Sequence, residues 1–376
     1  MPIPFNTPAI IGTEQQELDK LLIAQNKFCG NGTYSRGCAD TLKQQTGSSY
    51  VQMTSSCTNA LEMTALLADI QPGDQVIMPS YTFISTASAF AMRGADILWC
   101  DIRSDTKNID ETLIEELITE KTKAVVVVHY AGVACEMDKI SSICRKYDLM
   151  LIEDSAQCID CFYKETPLGS IGDLGTISFH ETKNIHCGEG GALLVNNKKL
   201  INRAEILADK GTNRSAFLRG QVDKYTWVDL GSNFLMSEFQ AAFLFAQLRS
   251  KAEITNKRRQ IFKKYYDFFA NYLPLEQLPH IPDYCTPAGH IFYIILPDLD
   301  TRIHVAESLQ KKGIAAYFHY LPLHQSPYWH NKYSSLTLPV TEQVSDCLIR
   351  LPLYYSLTDK QVNFVCKTFK QIYPGK

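Results

Sequence analysis

Lys183 and Asp154 are the two side chains in this sequence whose types and spacing point to a carbonyl cofactor. Lys183 stands among hydroxyl and imidazole groups in Ser178-Phe-His-Glu-Thr-Lys-Asn184, with a glycine-rich turn, Gly188-Glu-Gly-Gly191, after it. Asp154 ends the apolar run Leu149-Met-Leu-Ile-Glu-Asp154, 29 residues upstream. A lysine amine for a Schiff base and a carboxylate for a ring nitrogen are the protein groups that pyridoxal phosphate requires. The pair predicts this cofactor, with an exposed loop lysine as the ordinary alternative.

Hydroxyl side chains in two segments predict a site for the phosphate of such a cofactor. The string Val51-Gln-Met-Thr-Ser-Ser-Cys-Thr-Asn-Ala60 runs from a strand into a helix. Free N–H groups at the helix start, together with the hydroxyls of Ser56 and Thr58, suit a phosphate. Ser178, five positions before Lys183, adds a further hydroxyl. A plain Ser/Thr N-cap is the alternative for the first segment.

Other candidates would surround the ring of the cofactor. Phe83 follows a predicted strand and is placed to stack on a pyridine ring, although a single phenylalanine is more often part of a core. Asp154 would keep the ring nitrogen protonated, unless it caps a helix. His180 precedes Lys183 by three positions, and we predict it to be catalytic with Lys183 and Asp154.

Three common templates are missing from the sequence. There is no Gly-x-Gly-x-x-Gly turn early in the chain, no Walker lysine motif and no Gly-x-Ser-x-Gly elbow. These absences disfavour a nucleotide-sugar oxidoreductase on a Rossmann fold, which is one rival interpretation.

The composition is that of an ordinary globular protein. The 37 basic and 40 acidic residues give a net charge of −3 without a basic block, so we expect no nucleic-acid partner. The chain starts without a signal-peptide pattern and has no run long enough to span a membrane, so we expect a cytoplasmic protein. Its 12 cysteines are scattered, and Cys158-Ile-Asp-Cys161 is the only CxxC. We interpret that pair as packing and predict no metal.

From about residue 50, short apolar runs alternate with helical segments, a pattern typical of an α/β fold with a mostly parallel sheet. The predicted strands begin near residues 75, 96, 124, 149, 176 and 192. Predicted helices lie near 57–68, 110–118 and 137–147. The four consecutive valines at 125–128 fit a central strand that is buried on both faces.

At 376 residues the chain is long enough for two domains. The alternation of strands and helices stops after residue 195, and residues 210–232 form a polar stretch of a length typical of functional or disordered loops. Helical segments near 236–248 and 251–264 precede a smaller α+β unit. We predict a large cofactor-binding domain over 1–248 and a small domain over 249–376.

Several strings resemble the DegT/DnrJ/EryC1/StrS family of pyridoxal-phosphate sugar aminotransferases over essentially the whole chain. They are Pro79-Ser-Tyr-Thr-Phe83, His129-Tyr-Ala-Gly-Val-Ala-Cys-Glu-Met-Asp138, Ser178-Phe-His-Glu-Thr-Lys-Asn184, Lys210-Gly-Thr-Asn-Arg-Ser215 and Arg219-Gly-Gln-Val-Asp-Lys-Tyr-Thr-Trp227. The resemblance implies the fold-type I, aspartate aminotransferase-like architecture, with a large domain built on the sheet and a smaller C-terminal α+β domain.

The resemblance also implies a role for each residue of the cofactor site. Lys183 would be the Schiff-base lysine, Asp154 the partner of the pyridine nitrogen and Phe83 the stacking ring. Gln157 would sit by the phenolic oxygen, and Ser178 would hold the phosphate together with the Cys57-Thr58 turn.

Two positions depart from the pattern of the family. Cys57 replaces a frequent glycine before the phosphate-site threonine, and Asn233-Phe-Leu-Met236 replaces Asn-Tyr-Arg-Met. By the resemblance, Asn233 would contact the cofactor of a neighbouring subunit in a homodimer whose active sites lie at the subunit interface. The missing arginine leaves a substrate-anchoring role for this segment open.

Within the family, the same strings resemble enzymes that aminate dTDP-4-dehydro-6-deoxy-D-glucose at C4. That resemblance implies L-glutamate as donor, with dTDP-4-amino-4,6-dideoxy-D-galactose and 2-oxoglutarate as products. The pathway would be lipopolysaccharide O-antigen or enterobacterial common antigen biosynthesis. Candidate diphosphate contacts are Lys210, Arg214, Arg219 and Lys224, whose alternative is solvated loop charge. Candidate sugar contacts are His319, Tyr320 and His324; for each of the two histidines, a core or surface role is the slightly favoured alternative.

The sequence leaves other reactions open. Amination at C3 and a gluco product both remain alternatives, as does another nucleotide. A sugar dehydratase of the same fold is disfavoured because relatives of that kind replace the Schiff-base lysine with histidine. A non-catalytic protein that binds pyridoxal phosphate is a further alternative.

Overall fold

The computed structural model describes residues 2–24, 27–333 and 335–375. The strands are β1 (Tyr50–Thr54), β2 (Gln75–Pro79), β3 (Asp96–Cys100), β4 (Thr122–Val128), β5 (Met150–Asp154), β6 (Phe162–Tyr163), β7 (Thr166–Pro167), β8 (Leu174–Ser178), β9 (Gly191–Val195), β10 (Cys285–Thr286), β11 (Phe292–Ile295) and β12 (Leu348–Leu351). The helices are α1 (Glu14–Ala24), α2 (Thr33–Thr46), α3 (Cys57–Leu67), α4 (Ile84–Ala91), α5 (Ile114–Leu117), α6 (Met137–Lys146), α7 (Ile201–Ala208), α8 (Arg214–Leu218), α9 (Glu238–Arg249), α10 (Lys251–Phe269), α11 (Leu299–Lys311), α12 (Pro327–Tyr333), α13 (Pro339–Cys347) and α14 (Asp359–Ile372).

A seven-stranded sheet in the order β1-β9-β8-β5-β4-β2-β3 forms the centre of the molecule. Every neighbouring pair from β8 to β3 is parallel, whereas β9 runs antiparallel to both β8 and β1. Strands β1 to β5 and β8 therefore end at the same edge of the sheet, where β9 begins. The predicted α/β fold with a mostly parallel sheet is confirmed.

Strand β4 is buried on both faces of the sheet, as its run of valines predicts. Successive side chains of a strand point to opposite faces. Val126 packs in the cluster that contains α3, α4 and α7 residues, whereas Val125 and Val127 pack with α6 residues on the other face. All three are fully buried. The layers on both faces fix the position of the carboxyl ends of the strands.

The C-terminal part of the chain has its own hydrophobic cluster. Aromatic rings from β11, α10 and α14 meet there: Phe269 lies 5.7 Å from Phe292 and 5.1 Å from Phe369, measured between ring centroids. Ile3, from the start of the chain, joins the same cluster. The predicted domain boundary at residue 248 lies within the last turn of α9, and the division into two domains stays a prediction.

The predicted elements agree with the structure except in two places. The helix expected over 110–118 is reduced to α5, because the Asp110 carboxylate accepts bonds from the backbone and hydroxyl of Thr112 at 3.0 and 2.7 Å. Such local side-chain bonds compete with a helix. The polar stretch 210–232 contains the short helix α8.

The described ranges show two further features that bear on function. None of their helices is both long enough and apolar enough to cross a membrane. They also contain no cluster of three or more histidine, cysteine or acidic side chains arranged to hold a metal. Cys158 and Cys161 are free and buried, which fits the packing role that we predict for them.

Candidate active site

The parallel strands bring the predicted site residues to one edge of the sheet. Asp154 is the last residue of β5 and Ser178 the last residue of β8, while the turn after β1 leads into α3. Gly191, the first residue of β9, pairs with both Ser178 and Thr54. Ligands bind outside the carboxyl ends of strands in open α/β sheets. The cavity described next opens at this edge.

A cavity of about 550 Å³ lies between this edge and the C-terminal part of the chain. Its volume is in the range of small-molecule sites. The lining includes most of the predicted residues, namely Ser56, Cys57, Thr58, Phe83, Asp154, Gln157, Ser178, His180, Lys183, His319 and Tyr320. The structure thus brings together residues that are up to 264 positions apart in the chain.

Lys183 lines the cavity with a free amine. Its backbone N–H donates to the His180 carbonyl at 2.9 Å, but no hydrogen bond or ion pair engages Nζ within the described residues. Burial lowers the pKa of Lys183, and the nearby positive charge of Arg350 acts in the same direction, while Asp154 opposes it. A neutral lysine amine is a nucleophile and a proton acceptor.

Asp154 is held rigidly at the floor of the cavity. Thr86 donates its hydroxyl proton to Oδ2 at 2.6 Å, and the Ala156 N–H donates to Oδ1 at 3.1 Å. Because the Thr86 proton goes to Asp154, its oxygen accepts from the Thr82 hydroxyl at 2.8 Å. We did not predict Thr86 as a site residue from the sequence, although it lies three positions after Phe83 in the first turn of α4.

The start of α3 forms a cradle of free N–H groups. Ser56 is the N-cap and accepts from the Asn59 N–H at 3.1 Å, whereas the N–H groups of Cys57 and Thr58 donate to no described residue. A Cβ atom on Gly191 would lie 2.5 Å from the Cys57 nitrogen, so only glycine allows this close approach. The cradle therefore keeps donors that an anion can accept from.

Hydroxyl and thiol groups complete the cradle. The Thr58 and Ser85 hydroxyls are 2.8 Å apart, and Ser178 Oγ accepts from the His180 N–H at 3.4 Å. Burial raises the pKa of the Cys57 thiol to about 12, so it is neutral at physiological pH. Cys57 thus adds no negative charge that would repel a phosphate.

Phe83 and Gln157 both form part of the cavity wall. Phe83 is 57% exposed, because it faces the open cavity and not a core. Gln157 accepts from the Ala131 N–H at 2.6 Å and donates from Nε2 to the Tyr320 hydroxyl at 2.9 Å. Tyr320 also contacts Phe83, with ring centroids 6.2 Å apart. One N–H of the Gln157 amide remains for a ligand.

His180 lies at the mouth of the cavity. Its Nδ1 is 2.9 Å from the Thr182 hydroxyl, and its Nε2 is 3.6 Å from the exposed carboxylate of Glu189. The catalytic role that we predict for His180 stays a prediction.

Two arginines from the C-terminal part also line the cavity, and the sequence did not reveal them. Arg350 lies on β12, with its Nη1 2.9 Å from His319 Nδ1. Arg258 of α10 donates to the carbonyls of Gly289 and His290 at 3.1 and 2.9 Å, and burial with the charge of Arg350 lowers its pKa to about 9. The one sequence signal was a charged residue inside the apolar run Leu348-Ile-Arg-Leu351.

The histidines beside these arginines are neutral. Burial, together with the charges of Arg350 and Lys183, lowers the pKa of His319 to about 4. Burial also lowers the pKa of His290 well below its ordinary value, and its Nδ1 lies 2.9 Å from Asn184 Oδ1. His290 was likewise missed, since nothing in its local sequence marks it.

The four cationic residues that we predict to contact a diphosphate do not line the cavity of their own chain. Lys210 and Arg214 pair with Asp209 at 2.5 and 3.5 Å, and Arg219 pairs with Glu205 at 2.7 Å. Lys224 is exposed. Asn233 is also exposed and outside the cavity lining. None of these five residues faces the cavity of its own chain.

His324 differs from our prediction as a substrate contact. It is 1% exposed and lies outside the cavity lining. Its Nδ1 is 2.8 Å from the Ser80 hydroxyl, and its Nε2 is 3.1 Å from the Glu342 carboxylate. Both ring nitrogens are occupied, so His324 joins two segments of the protein and has no free group for a sugar.

The residues present fit pyridoxal phosphate. The cradle at α3 offers free N–H donors for a phosphate, Asp154 offers a fixed carboxylate for a ring nitrogen, and Phe83 offers an open aromatic face. Lys183 offers a free amine in the same cavity. No other described cluster combines these four groups.

Comparison with known proteins agrees with this chemistry. The model of the DegT/DnrJ/EryC1/StrS aminotransferase family matches residues 8–370. The protein MJ1066 of Methanocaldococcus jannaschii, itself uncharacterised, is 36% identical over 338 residues, which cover 87% of this chain and 86% of that protein.

Solved structures share the fold over almost the entire chain. Spr1654 of Streptococcus pneumoniae, named as a candidate sugar aminotransferase and solved in its PLP form, is 26% identical, with a TM-score of 0.89 over 99% of this chain and 98% of that one. The aminotransferase TlmJ of Streptoalloteichus hindustanus is 26% identical, with a TM-score of 0.90 over 99% of both chains. The predicted fold-type I architecture is confirmed.

Proposed function

Because the chain belongs to the DegT/DnrJ/EryC1/StrS aminotransferase family of pyridoxal-phosphate-dependent sugar aminotransferases, we propose that it moves an amino group from L-glutamate to C4 of dTDP-4-dehydro-6-deoxy-D-glucose. The products are dTDP-4-amino-4,6-dideoxy-D-galactose and 2-oxoglutarate. One observation carries the assignment of the chemistry: the free amine of Lys183 shares a single cavity with the fixed carboxylate of Asp154 and the N–H cradle of α3.

The residues of the cavity have separate tasks in this reaction. When bound, pyridoxal phosphate accepts the electron pair that is left when a proton leaves the α-carbon of the donor. Asp154 would keep the ring nitrogen of the cofactor protonated, and its two hydrogen bonds favour this role because they fix the carboxylate. Lys183 would take up the proton from the α-carbon of the donor and deliver it to C4′ of the cofactor, and its lowered pKa supports this role as a base. The cradle at α3 anchors the phosphate.

The choice of sugar rests on sequence strings and on the cavity wall. The strings around Lys183 and from Arg219 to Trp227 resemble dTDP-4-amino-4,6-dideoxygalactose transaminase. His319 and Tyr320 line the cavity on the side of the C-terminal part, where a sugar opposite the cofactor would lie. Such a product belongs to O-antigen or enterobacterial common antigen biosynthesis.

We extend the proposal to a homodimer with active sites at the subunit interface. The loop that carries the predicted diphosphate cations exposes large apolar side chains: Leu218 is 72% and Trp227 is 75% exposed. Asn233 and these cations lie outside the cavity of their own chain. A second copy that covers the apolar loop would bring them to its own cavity. Light scattering should report twice the chain mass.

The reaction is tested with purified holoenzyme. The protein should be yellow, and borohydride should remove the colour while it fixes the cofactor to Lys183, which peptide mass spectrometry identifies. The enzyme should then consume L-glutamate and a 4-keto-6-deoxy dTDP-sugar, and NMR of the product should show a galacto-configured 4-amine. A 3-amino or gluco product would replace the substrate assignment. A colourless protein, or dehydration of the sugar without amine transfer, would refute the proposed aminotransferase activity.

A further inference from the structure

His290 lines the cavity from the segment that leads into β11. The residue is 6% exposed. Arg258 holds the backbone of this segment, because its Nη2 donates to the His290 carbonyl at 2.9 Å and its Nε donates to the Gly289 carbonyl at 3.1 Å. His290 therefore has a fixed backbone at the wall of the cavity.

Asn184, the residue directly after Lys183, fixes the imidazole ring of His290. Its Nδ2 donates to the Ala288 carbonyl at 3.2 Å, so Oδ1 is the accepting atom of the amide. Oδ1 lies 2.9 Å from His290 Nδ1. Nδ1 therefore carries the ring hydrogen and donates it to Asn184. Asn184 is only 2% exposed, so this bond is shielded from solvent.

The other ring nitrogen of His290, Nε2, is a hydrogen-bond acceptor without a partner. A neutral imidazole with its hydrogen on Nδ1 has a lone pair on Nε2. No described residue donates to this atom. Burial and the positive charges of Lys183 and Arg258 lower the pKa of His290 well below its ordinary value, so the ring stays neutral. The protein thus leaves this acceptor open for a ligand.

His319 lines the same cavity in the opposite tautomer. Its Nδ1 accepts from Arg350 Nη1 at 2.9 Å, so its ring hydrogen lies on Nε2. The two histidines therefore offer one donor and one acceptor, and neither ring is charged. A hydroxyl group both donates and accepts hydrogen bonds, which suits a wall of this kind.

The two substrates differ in whether they can donate to His290. Apart from its reacting amine, L-glutamate carries two carboxylates, and an ionised carboxylate only accepts hydrogen bonds. The keto sugar carries hydroxyls at C2 and C3, and each of them can donate. The open acceptor on His290 therefore suits the sugar and not the amino donor.

We propose that His290, held by Asn184 in the tautomer with a bare Nε2, accepts a hydrogen bond from a ring hydroxyl of the keto sugar. The proposal rests on the proposed function and deepens it, because it names a contact that selects hydroxylated sugars. Asn184 acts through His290 and is a positioning residue. Because it follows Lys183 directly, it links the sugar contact to the segment that carries the reacting amine.

The experiment measures the binding of unreactive dTDP-sugars to the holoenzyme by calorimetry. The probes are dTDP-6-deoxy-D-glucose and its two analogues that lack the hydroxyl at C2 or at C3, none of which has a keto group. The variants are His290→Phe, His290→Gln, Asn184→Leu and the control His186→Phe. His186 is also a buried histidine, but it lies outside the cavity lining. Its partner, the Ala9 carbonyl, keeps a second donor in Gln247 when His186 is replaced.

We expect loss of one of the two hydroxyls to weaken binding to the wild-type enzyme about tenfold. His290→Phe should bind the intact sugar about tenfold more weakly and should no longer distinguish it from that deoxy analogue. His290→Gln should keep part of the distinction, because its amide oxygen accepts hydrogen bonds. KM for L-glutamate in His290→Phe and sugar binding by His186→Phe should stay unchanged.

Nitrogen NMR of the histidine rings tests the role of Asn184. In the wild-type enzyme, Nε2 of His290 should show the chemical shift of a nitrogen without hydrogen. In Asn184→Leu the ring loses its fixed acceptor, so both tautomers should appear and the preference for the hydroxyl should weaken. Circular dichroism checks the fold of each variant. An unchanged tautomer in Asn184→Leu would remove the positioning role of Asn184.

The outcomes separate this contact from the proposed function. An unchanged preference for the hydroxyl in folded His290→Phe, or a ring hydrogen on Nε2 in the wild-type enzyme, would overturn the His290 contact alone. The same holds if neither hydroxyl affects binding to the wild-type enzyme. If that enzyme binds none of the three dTDP-sugars, the proposed substrate falls and the sugar contact falls with it.

Discussion

Removing the hydroxyl of Thr86 tests how the protein holds Asp154. Thr86→Val keeps the shape of the side chain and deletes the 2.6 Å bond to Oδ2 of a carboxylate that is only 4% exposed. A hydrogen bond to a charged group contributes about 1.5–3 kcal/mol. Asp154 then keeps a single donor, the Ala156 N–H, and the Thr82 hydroxyl loses its acceptor. We therefore expect the free energy of unfolding of the apoprotein to fall by about 3 kcal/mol, near the upper end of that range.

Thr341→Val is the matched control. The Thr341 hydroxyl also donates to a buried carboxylate, Asp101, at 2.7 Å. Three backbone N–H groups, those of Ile102, Val340 and Thr341, still donate to Asp101. We therefore expect Thr341→Val to lower the free energy of unfolding by about 1.5 kcal/mol, near the lower end of the same range.

The two variants should differ in activity as well as in stability. Without Thr86 the Asp154 carboxylate is free to turn, so the half-reaction with L-glutamate should slow by about tenfold or more. Thr341→Val should leave that rate unchanged, because Asp101 does not line the cavity. Urea unfolding of the apoprotein and stopped-flow absorbance of the holoenzyme measure the two effects. A normal rate in Thr86→Val, or an equal slowing in Thr341→Val, would refute the reasoning.

The remaining predictions concern the cofactor site. Lys183→Ala should reduce turnover by a factor of about 10⁴ or more without changing the circular dichroism spectrum, since both amine and base are lost; near-normal turnover would contradict the assignment. Asp154→Asn should lower kcat by about 10²–10³-fold but weaken cofactor binding much less, and equal losses in titration and kinetics would argue against an electronic role. Gly191→Ala should cost about 1–3 kcal/mol in unfolding experiments and weaken cofactor binding, because its Cβ would press on the Cys57 nitrogen. Unchanged cofactor affinity in Gly191→Ala would show that the cradle does not need this close approach.

The sequence predicted the structure correctly where a local pattern of apolar and polar residues determines it. Apolar runs that end in polar residues indicated β5 and β8, and parallel strands place their carboxyl ends together. Asp154, Ser178 and the start of α3 were therefore expected near one another, and they line one cavity. The helix expected over 110–118 shows the limit of such patterns, because one aspartate turn at Asp110 shortened it.

Such local patterns could not predict contacts between residues from distant parts of the chain. Arg350 reaches the cavity only because β12 pairs with β11 and Tyr317 holds its other side. His324 is buried because it meets Ser80, 244 positions away, and that contact removes it from the sugar site. No local signal encodes either outcome.

By itself, then, the sequence determined the α/β order of elements, the resemblance to the family and the lysine–carboxylate pair. These follow from periodicity and from residues close in the chain. The tertiary structure alone decided which cations face the cavity. Arg350 lines it, whereas Lys210 and Arg219 pair with acidic neighbours elsewhere. The physical reason is that the cavity lies between two separately packed parts of the chain, so its charges depend on how those parts meet.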